Sequence, residues 1–423
     1  MMKIIRKTKI IATVGPSCSS SRTIEQMMIS GVDVFRINFS HANHSEIEKI
    51  ISIIRSLNKK NNCYTSILAD LQGPKLRIGN MIENTRINDG DIIEFCSEKK
   101  FIGNNKRVFV KYKRFAQDVK IGEKLLIDDG KLILEILETD NKFNVKAMVI
   151  QGGPLLSKKG INLPKTKISL PALTEKDFED AIFSINQKVD WIALSFVRNE
   201  NDLDELKKII SERSSHKIPI ISKIEKPEAL GNIDKIISNS DGIMVARGDL
   251  GVEVSAAKVP LIQKQLVNKA KKARIPVIIA TQMMESMINS LTPTRAEVND
   301  VANSVMDGTD AVMLSGETSV GEYPVKVVDK MSSILKTVEN SPLIKVPHSP
   351  PSVRSKRYIT KSICYHAANM ANEIDATAIC TLTNSGYTAF QISAWRPNAN
   401  ILVFTSNKLI LTQLNLLWGV KAF

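Results

Sequence analysis

Ile218-Pro219-Ile220-Ile221-Ser222-Lys223-Ile224-Glu225 decides how the chain is read. In an extended strand, residues two apart share a face, so Lys223 and Glu225 project together beyond an apolar lead-in. An ammonium and a carboxylate side by side at a buried strand end are costly unless something uses them. Gly242-Ile243-Met244-Val245-Ala246-Arg247-Gly248-Asp249 repeats the pattern. There an apolar run again ends in charge, with a glycine that lets a ligand approach the backbone. Working outward, similar runs occupy 8–14, 32–40, 64–71, 191–197, 219–225, 241–247, 276–282 and 310–315. Amphipathic segments at 23–30, 43–60, 174–187, 201–213, 256–273 and 294–306 lie between them. Near-continuous apolar strands alternating with helices imply a parallel sheet covered on both faces. Eight such units fit a (β/α)8 TIM barrel, which carries chemistry at the C-terminal ends of its strands.

The alternation breaks between residues 74 and 170. Short strands (92–95, 107–110, 131–135, 144–147) are separated by turns such as Asn88-Asp89-Gly90-Asp91 and Asp128-Asp129-Gly130-Lys131. This predicts an all-β lid, 74–170, inserted after the third strand of a barrel formed by 1–73 and 171–343. Prolines 342, 347, 350 and 351 mark a linker. Beyond it, 344–423 reads as an α/β unit with a helix at 359–373, a strand at 376–382 and a strand at 400–405. That unit looks incomplete, and we expect its tail to expose apolar surface from Leu409 to Trp418.

Composition excludes several classes. The chain is 43% apolar and 24% charged, as in ordinary globular proteins. Five cysteines lack metal-ligand spacing and fit a reducing cytoplasm. No run approaches the roughly 18 apolar residues of a membrane helix. The net charge of +14 is concentrated in 74–170 (19 basic, 12 acidic) and 344–423 (8 basic, 2 acidic). Without aromatic interleaving it predicts solvated surface and attraction for phosphate substrates, with no nucleic-acid or membrane partner.

At the strand ends stand Arg36, Asn38 and Ser40, then Asp70, Lys223 with Glu225, Gly248 with Asp249, and Thr281. Singly, an Asn, Ser or Thr there is an ordinary helix cap, and Arg36 an ordinary ion-pair partner. On one rim they suit phosphoryl transfer. Glu225 and Asp249 offer Mg²⁺ a sparse shell that leaves room for water and substrate oxygens. Lys223 and Arg36 can neutralise charge on a transferring phosphoryl group.

These stretches resemble the pyruvate kinase family. The resemblance rests on Thr13-Val14-Gly15-Pro16-Ser17, Phe35-Arg36-Ile37-Asn38-Phe39-Ser40-His41, Asp70-Leu71-Gln72-Gly73-Pro74-Lys75 and Ser157-Lys158-Lys159-Gly160. It continues through Ser222-Lys223-Ile224-Glu225, Ala246-Arg247-Gly248-Asp249, Ala280-Thr281-Gln282-Met283 and Ser315-Gly316-Glu317-Thr318. It implies a cytoplasmic, homotetrameric glycolytic enzyme that converts phosphoenolpyruvate and ADP into pyruvate and ATP with Mg²⁺ or Mn²⁺. Lys223, Thr281 and Arg36 would be catalytic. Arg36, Lys223, Gly248, Asp249 and Thr281 would bind phosphoenolpyruvate. Asn38, His41, Arg77 and Lys159 would contact the nucleotide, and Glu225 and Asp249 the divalent metal. Asn38, Ser40, Asp70 and Leu71 match the family's monovalent-cation pocket. Leu71, Gln72, Lys75 and Ile78 depart from the K⁺-requiring pattern, so the resemblance implies that Lys75 replaces the ion and K⁺ is not required. Thr381, Thr383, Ser385 and Thr388 match part of an effector-phosphate loop, with Tyr387 where an Arg is frequent; weak or absent activation by fructose 1,6-bisphosphate is expected. The alternatives are another Mg²⁺-dependent enolate-forming barrel enzyme and a non-catalytic truncated homologue.

Overall fold

A computed structural model describes residues 6–40, 43–164, 166–341, 350–353 and 355–423, leaving His41 and most of the proline-marked linker outside. Eight parallel strands close into a barrel: β1 (Lys9–Thr13), β2 (Val34–Asn38), β3 (Ser66–Asp70), β4 (Trp191–Leu194), β5 (Ile220–Ile224), β6 (Gly242–Ala246), β7 (Val277–Ala280) and β8 (Ala311–Leu314). Ile11, Val34, Leu68, Trp191, Ile221, Met244, Ile278 and Met313 fill the lumen. The alternate residues Ile10, Phe35, Ile67, Ile192, Ile243 and Val312 pack outward against the helices. This period of two, buried on both faces, is why the strands read as unbroken apolar runs. Each strand is shorter than its sequence run, because the terminal residues turn into the rim.

All six expected barrel helices form, within a few residues of the expected limits. Helix Arg295–Asp307 opens on a capping box in which Thr294 and Glu297 satisfy each other's backbone N–H groups. Helices not anticipated include Pro324–Glu339, begun by a proline at its first position, the short pair Pro227–Gly231 and Ile233–Asn239, and the short Arg247–Glu253 and Gly316–Ser319.

The segment between β3 and β4 carries a six-stranded sheet in the order 161–162, 124–127, 132–139, 144–151, 92–96, 107–109, with a two-stranded ribbon beside it. Its core, around Ile93, Phe95, Phe115, Leu125, Leu134 and Val145, is separate from the barrel's.

The C-terminal segment corrects one expectation. Besides strands at Ala378–Leu382 and Asn400–Phe404 it has a third, Val420–Ala422, pairing parallel with the second. Ile410, Leu411, Leu414, Leu416 and Leu417 are buried, so the stretch 409–418 is mostly covered instead of exposed; Leu409 alone among its leucines stays open. The reason is long-range. Leu416 enters the lumen cluster from below, where the strands begin. Gln413 O accepts from Trp191 Nε1 at 3.1 Å, and Lys9 Nζ donates to Val420 O at 2.9 Å. Arg396 pairs with Asp310 at 2.9 Å, both buried. This segment therefore stoppers the N-terminal end of the barrel, opposite the rim that carries the charged residues. Apolar exposure lies instead on helix Tyr358–Glu373 and just past it, at Ile359, Ile363, Met370 and Ile374. No described helix is long and apolar enough to cross a membrane.

Candidate active site

The rim is built around Lys223. Its Nζ lies 2.7 Å from Ser195 Oγ and 3.1 Å from both Asp70 Oδ1 and Glu225 Oε1. Burial works to lower its pKa, but the two carboxylates outweigh burial and push it up to about 12. The residue is a fixed cation. Asp70 is 1% exposed and also takes Arg36 Nε at 2.6 Å. Burial would raise the Asp70 carboxyl, yet Lys223 and Arg36 hold it below the usual carboxylate range. Arg36 is oriented a second time by Thr13 Oγ1, 3.0 Å from its Nη1.

Glu225 is equally buried and accepts from Phe196 N–H at 2.8 Å. Burial raises its pKa and the nearby Asp249 charge adds to that, against Lys223. Two carboxylates close enough to disturb each other favour a shared cation. Asp249 stands in the first turn of the seven-residue helix Arg247–Glu253 that follows β6, and its Oδ1 accepts Lys75 Nζ at 2.7 Å.

Thr281, just past β7, holds φ at 70°, and Gln282 follows at 55°. That region is strained for a β-branched residue and persists only where its surroundings enforce it. Here the enforcers are Arg247, whose Nη2 donates to Thr281 O at 2.8 Å, and Gly248, whose N–H donates to Thr281 Oγ1 at 2.7 Å. A Cβ on residue 248 would lie 3.3 Å from that hydroxyl, so glycine keeps the approach open. Arg247 is itself anchored on Asp300 at 2.7 Å.

Lys223, Glu225, Asp70 and Arg36 are thus joined by direct contacts, the Asp249–Lys75 pair acts on them electrostatically, and Gly248 with Thr281 adjoins Asp249 along the rim. Asn38 accepts from Ser40 N–H through Oδ1 at 3.2 Å. Leu71 is buried, and its carbonyl accepts from Ser195 Oγ at 2.7 Å. Arg77 and Lys159 are engaged elsewhere, Arg77 donating to Lys158 O at 3.1 Å and Lys159 pairing with Asp128 of the inserted sheet at 2.8 Å. Lys75 stands against Asp249 and not among Asn38, Ser40 and Asp70. Sequence reasoning missed Ser195, which ties Asp70, Leu71 and Lys223 together, and Arg247, which holds Thr281 in place. Both stand one residue past a barrel strand, which was the available signal.

A (β/α)8 barrel with an inserted β lid and a rim of fixed cations facing buried carboxylates defines a phosphoryl-handling enzyme of the barrel class. Comparison with known proteins narrows the class. The model of the pyruvate kinase barrel domain matches residues 5–328, and that of the pyruvate kinase alpha/beta domain matches 361–423. The chain belongs to the pyruvate kinase family. It is 41% identical to pyruvate kinase 2 of Synechocystis sp., over 98% of this chain and 70% of that protein. It is 42% identical to the pyruvate kinase of Corynebacterium glutamicum, over 99% and 86% respectively. A crystal structure of a pyruvate kinase from Cryptosporidium parvum superposes with a TM-score of 0.91 at 36% identity, covering 99% of this chain and 87% of that one.

Proposed function

We infer that this chain moves the phosphoryl group of phosphoenolpyruvate to ADP and yields pyruvate and ATP, as a glycolytic phosphotransferase. The observation that carries the reading is Lys223, a buried, permanently charged ammonium at the centre of the rim, between Asp70 and Glu225. Arg36 and Lys223 face where the phosphoryl group would lie and neutralise the charge that spreads over its oxygens during transfer. Being held by Asp70, Thr13 and Ser195, they need little reorganisation as that charge develops. Gly248, Asp249 and Thr281 line the phosphoenolpyruvate subsite, and the Thr281 hydroxyl is oriented beside the enolate carbon that takes up a proton. Asn38, His41, Arg77 and Lys159 serve the nucleotide phosphates, with Lys159 exchanging Asp128 for phosphate.

A divalent cation fits the donor set. Glu225 and Asp249 interact electrostatically, and Mg²⁺ is commonly held by one or two carboxylates plus substrate oxygens and water. When bound, Mg²⁺ or Mn²⁺ would supply positive charge to the phosphoryl and enolate oxygens. We further propose that K⁺ is not required. Both Asp70 oxygens already accept cationic side chains, and Leu71 beside them is buried and apolar. Lys75 contributes an ammonium on the same rim, paired with Asp249.

The exposed apolar row on helix Tyr358–Glu373 supports a homo-oligomer, the tetramer of the sequence reading. A cytoplasmic location accords with five unpaired cysteines. Coupling pyruvate formation to lactate dehydrogenase in the presence of phosphoenolpyruvate, ADP and Mg²⁺ tests the function. No pyruvate above the uncatalysed background would overturn it.

A further inference from the structure

The lid meets the barrel at a buried carboxylate that the rim chemistry does not use. Glu253 is the last residue of helix Arg247–Glu253, and its side chain is 1% exposed. Its Oε1 accepts from Lys226 Nζ at 2.6 Å and from Asn162 Nδ2 at 2.8 Å. Lys226 follows Glu225 just past β5, whereas Asn162 belongs to the lid strand Ile161–Asn162. One oxygen of Glu253 thus ties the lid to the barrel.

Packing alone gives no account of this contact. A carboxylate in the last turn of a helix faces the unfavourable end of the dipole, and a buried ion pair carries a desolvation cost that apolar residues would avoid. Among the described residues, Glu253 Oε2 and Asn162 Oδ1 are buried there without a hydrogen-bond partner, a further cost. With both bonds on Oε1, the free Oε2 is a second seat. Asn162 or Lys226 can pass from one oxygen to the other without losing a bond, so the contact holds while it turns.

The surroundings are those of a hinge. The chain enters the lid past Lys75 and Leu76 and leaves it through Lys159 to Asn162. The two passages are paired: Ile161 N–H donates to Leu76 O at 2.9 Å, and Ile78 N–H to Lys159 O at 3.0 Å. Each passage grips helix Arg247–Glu253 once, Lys75 on Asp249 at 2.7 Å and Asn162 on Glu253. Asp249 and Glu253 are four residues apart and share a helix face. The helix that presents Asp249 to the rim is therefore also the seat of the lid. A cavity of about 30 Å³ beside the contact, lined by Leu76, Ile161, Asn162, Phe196 and Lys226, leaves the seam short of close packing.

We propose that Glu253 is a positioning residue, the buried pivot that sets the angle of the lid and so brings Arg77 and Lys159 to the nucleotide phosphates. The inference rests on the assignment of those two side chains to the nucleotide. Phosphoenolpyruvate is held by rim residues that the lid does not carry, so loss of the pivot falls on ADP.

Asn162→Ala removes the lid side of the pivot, and Glu253→Gln removes its charge. Each should raise KM for ADP at least fivefold and leave KM for phosphoenolpyruvate within twofold, a split that general loss of structure would not give. The double variant should be at most twofold worse than the worse single one, because both changes break one contact. Hydrogen exchange on the substrate-free chain reads the hinge itself. In Asn162→Ala the amides of Ile78 and Ile161 should exchange at least tenfold faster, with those of the paired lid-core residues Phe95 and Val145 unchanged. That measurement does not depend on the reaction: a wild-type chain without turnover would refute the function, and the pivot would then stand or fall by exchange alone. Should Glu253→Gln not fold, Asn162→Ala, which strands no charge, carries both measurements. An unchanged KM for ADP in Asn162→Ala, equal rises in both KM values, or wild-type exchange at Ile78 and Ile161 would overturn the proposal.

Discussion

Replacing Lys223 by Met keeps the unbranched stem and removes the charge, which isolates the electrostatic role. The ammonium makes three contacts, at 2.7, 3.1 and 3.1 Å, with Ser195, Asp70 and Glu225. Loss of one preorganised charge at a reacting phosphoryl group should lower kcat by at least about 10²-fold, or roughly 2.7 kcal/mol. Phosphoenolpyruvate should still bind through Arg36, so KM should change far less than kcat. The fold also pays. Removing one partner of a buried ion pair costs about 3–5 kcal/mol, and Arg36 softens this at Asp70 but not at Glu225. Without Lys223 the Glu225 carboxyl rises further above the usual range. A buried carboxyl with a raised folded pKa contributes stability below its unfolded pKa and loses it as pH rises through the folded value. The variant should therefore lose more melting temperature at pH 8 than at pH 5. Steady-state kinetics with an independent measure of phosphoenolpyruvate binding, and melting at both pH values, check the two halves. A kcat within threefold of wild type would refute the assignment of Lys223, and equal destabilisation at both pH values would refute the account of Glu225.

Three other outcomes follow from the same geometry. Glu225→Gln and Asp249→Asn should each weaken Mn²⁺ binding, followed by electron paramagnetic resonance of the free ion, and raise the Mg²⁺ needed for activity; unchanged titrations would remove them as ligands. Activity in tetramethylammonium buffer at fixed ionic strength should change less than tenfold on adding K⁺, whereas Lys75→Glu should create a K⁺ requirement. In the inserted sheet, Asp140 accepts backbone N–H groups from Lys142, Phe143 and Asn144 at 2.8–2.9 Å. Burial is the largest single influence and raises the carboxyl, but the hydrogen bonds together outweigh it and its pKa falls to about 2. Its contribution to the turn is thus present above the unfolded value of 3.8 and lost as pH falls toward 2, which carboxyl-detected NMR would follow; a midpoint near 3.8 would contradict this.

Much of the barrel was legible because its strands are buried on both faces, leaving apolar runs such as Pro276-Val277-Ile278-Ile279-Ala280 that little else explains. The charged strand ends were legible for the opposite reason, since Lys223 and Asp249 interrupt such runs where packing alone would not place them. Ser195 was hidden because a serine after a strand looks like any helix cap, and its value emerges only from contacts with Asp70 and Leu71, more than a hundred residues away. The position of Lys75 was equally illegible, since its partner lies 174 residues further on. The Val420–Ala422 strand is three residues long and carries no pattern of its own; its neighbours create it. The helix Pro324–Glu339, by contrast, had its proline start and apolar face in plain view.

The stopper beneath the barrel bears on how the chain is made. Lys9 waits for Val420, 411 positions later, and Trp191 waits for Gln413, 222 positions later. During synthesis, at about 5–20 residues per second, the first strand is complete for some tens of seconds before its partner emerges. The lower mouth of the lumen stays open and apolar throughout that interval. Ribosome-bound chains halted before residue 400 should accordingly be cut by protease near the strand beginnings, while chains in which residues 413–423 have cleared the ribosome resist. Assembly of this enzyme is gated by the stretch from Gln413 to Val420, and the open-mouthed intermediate is the form that a chaperone would meet.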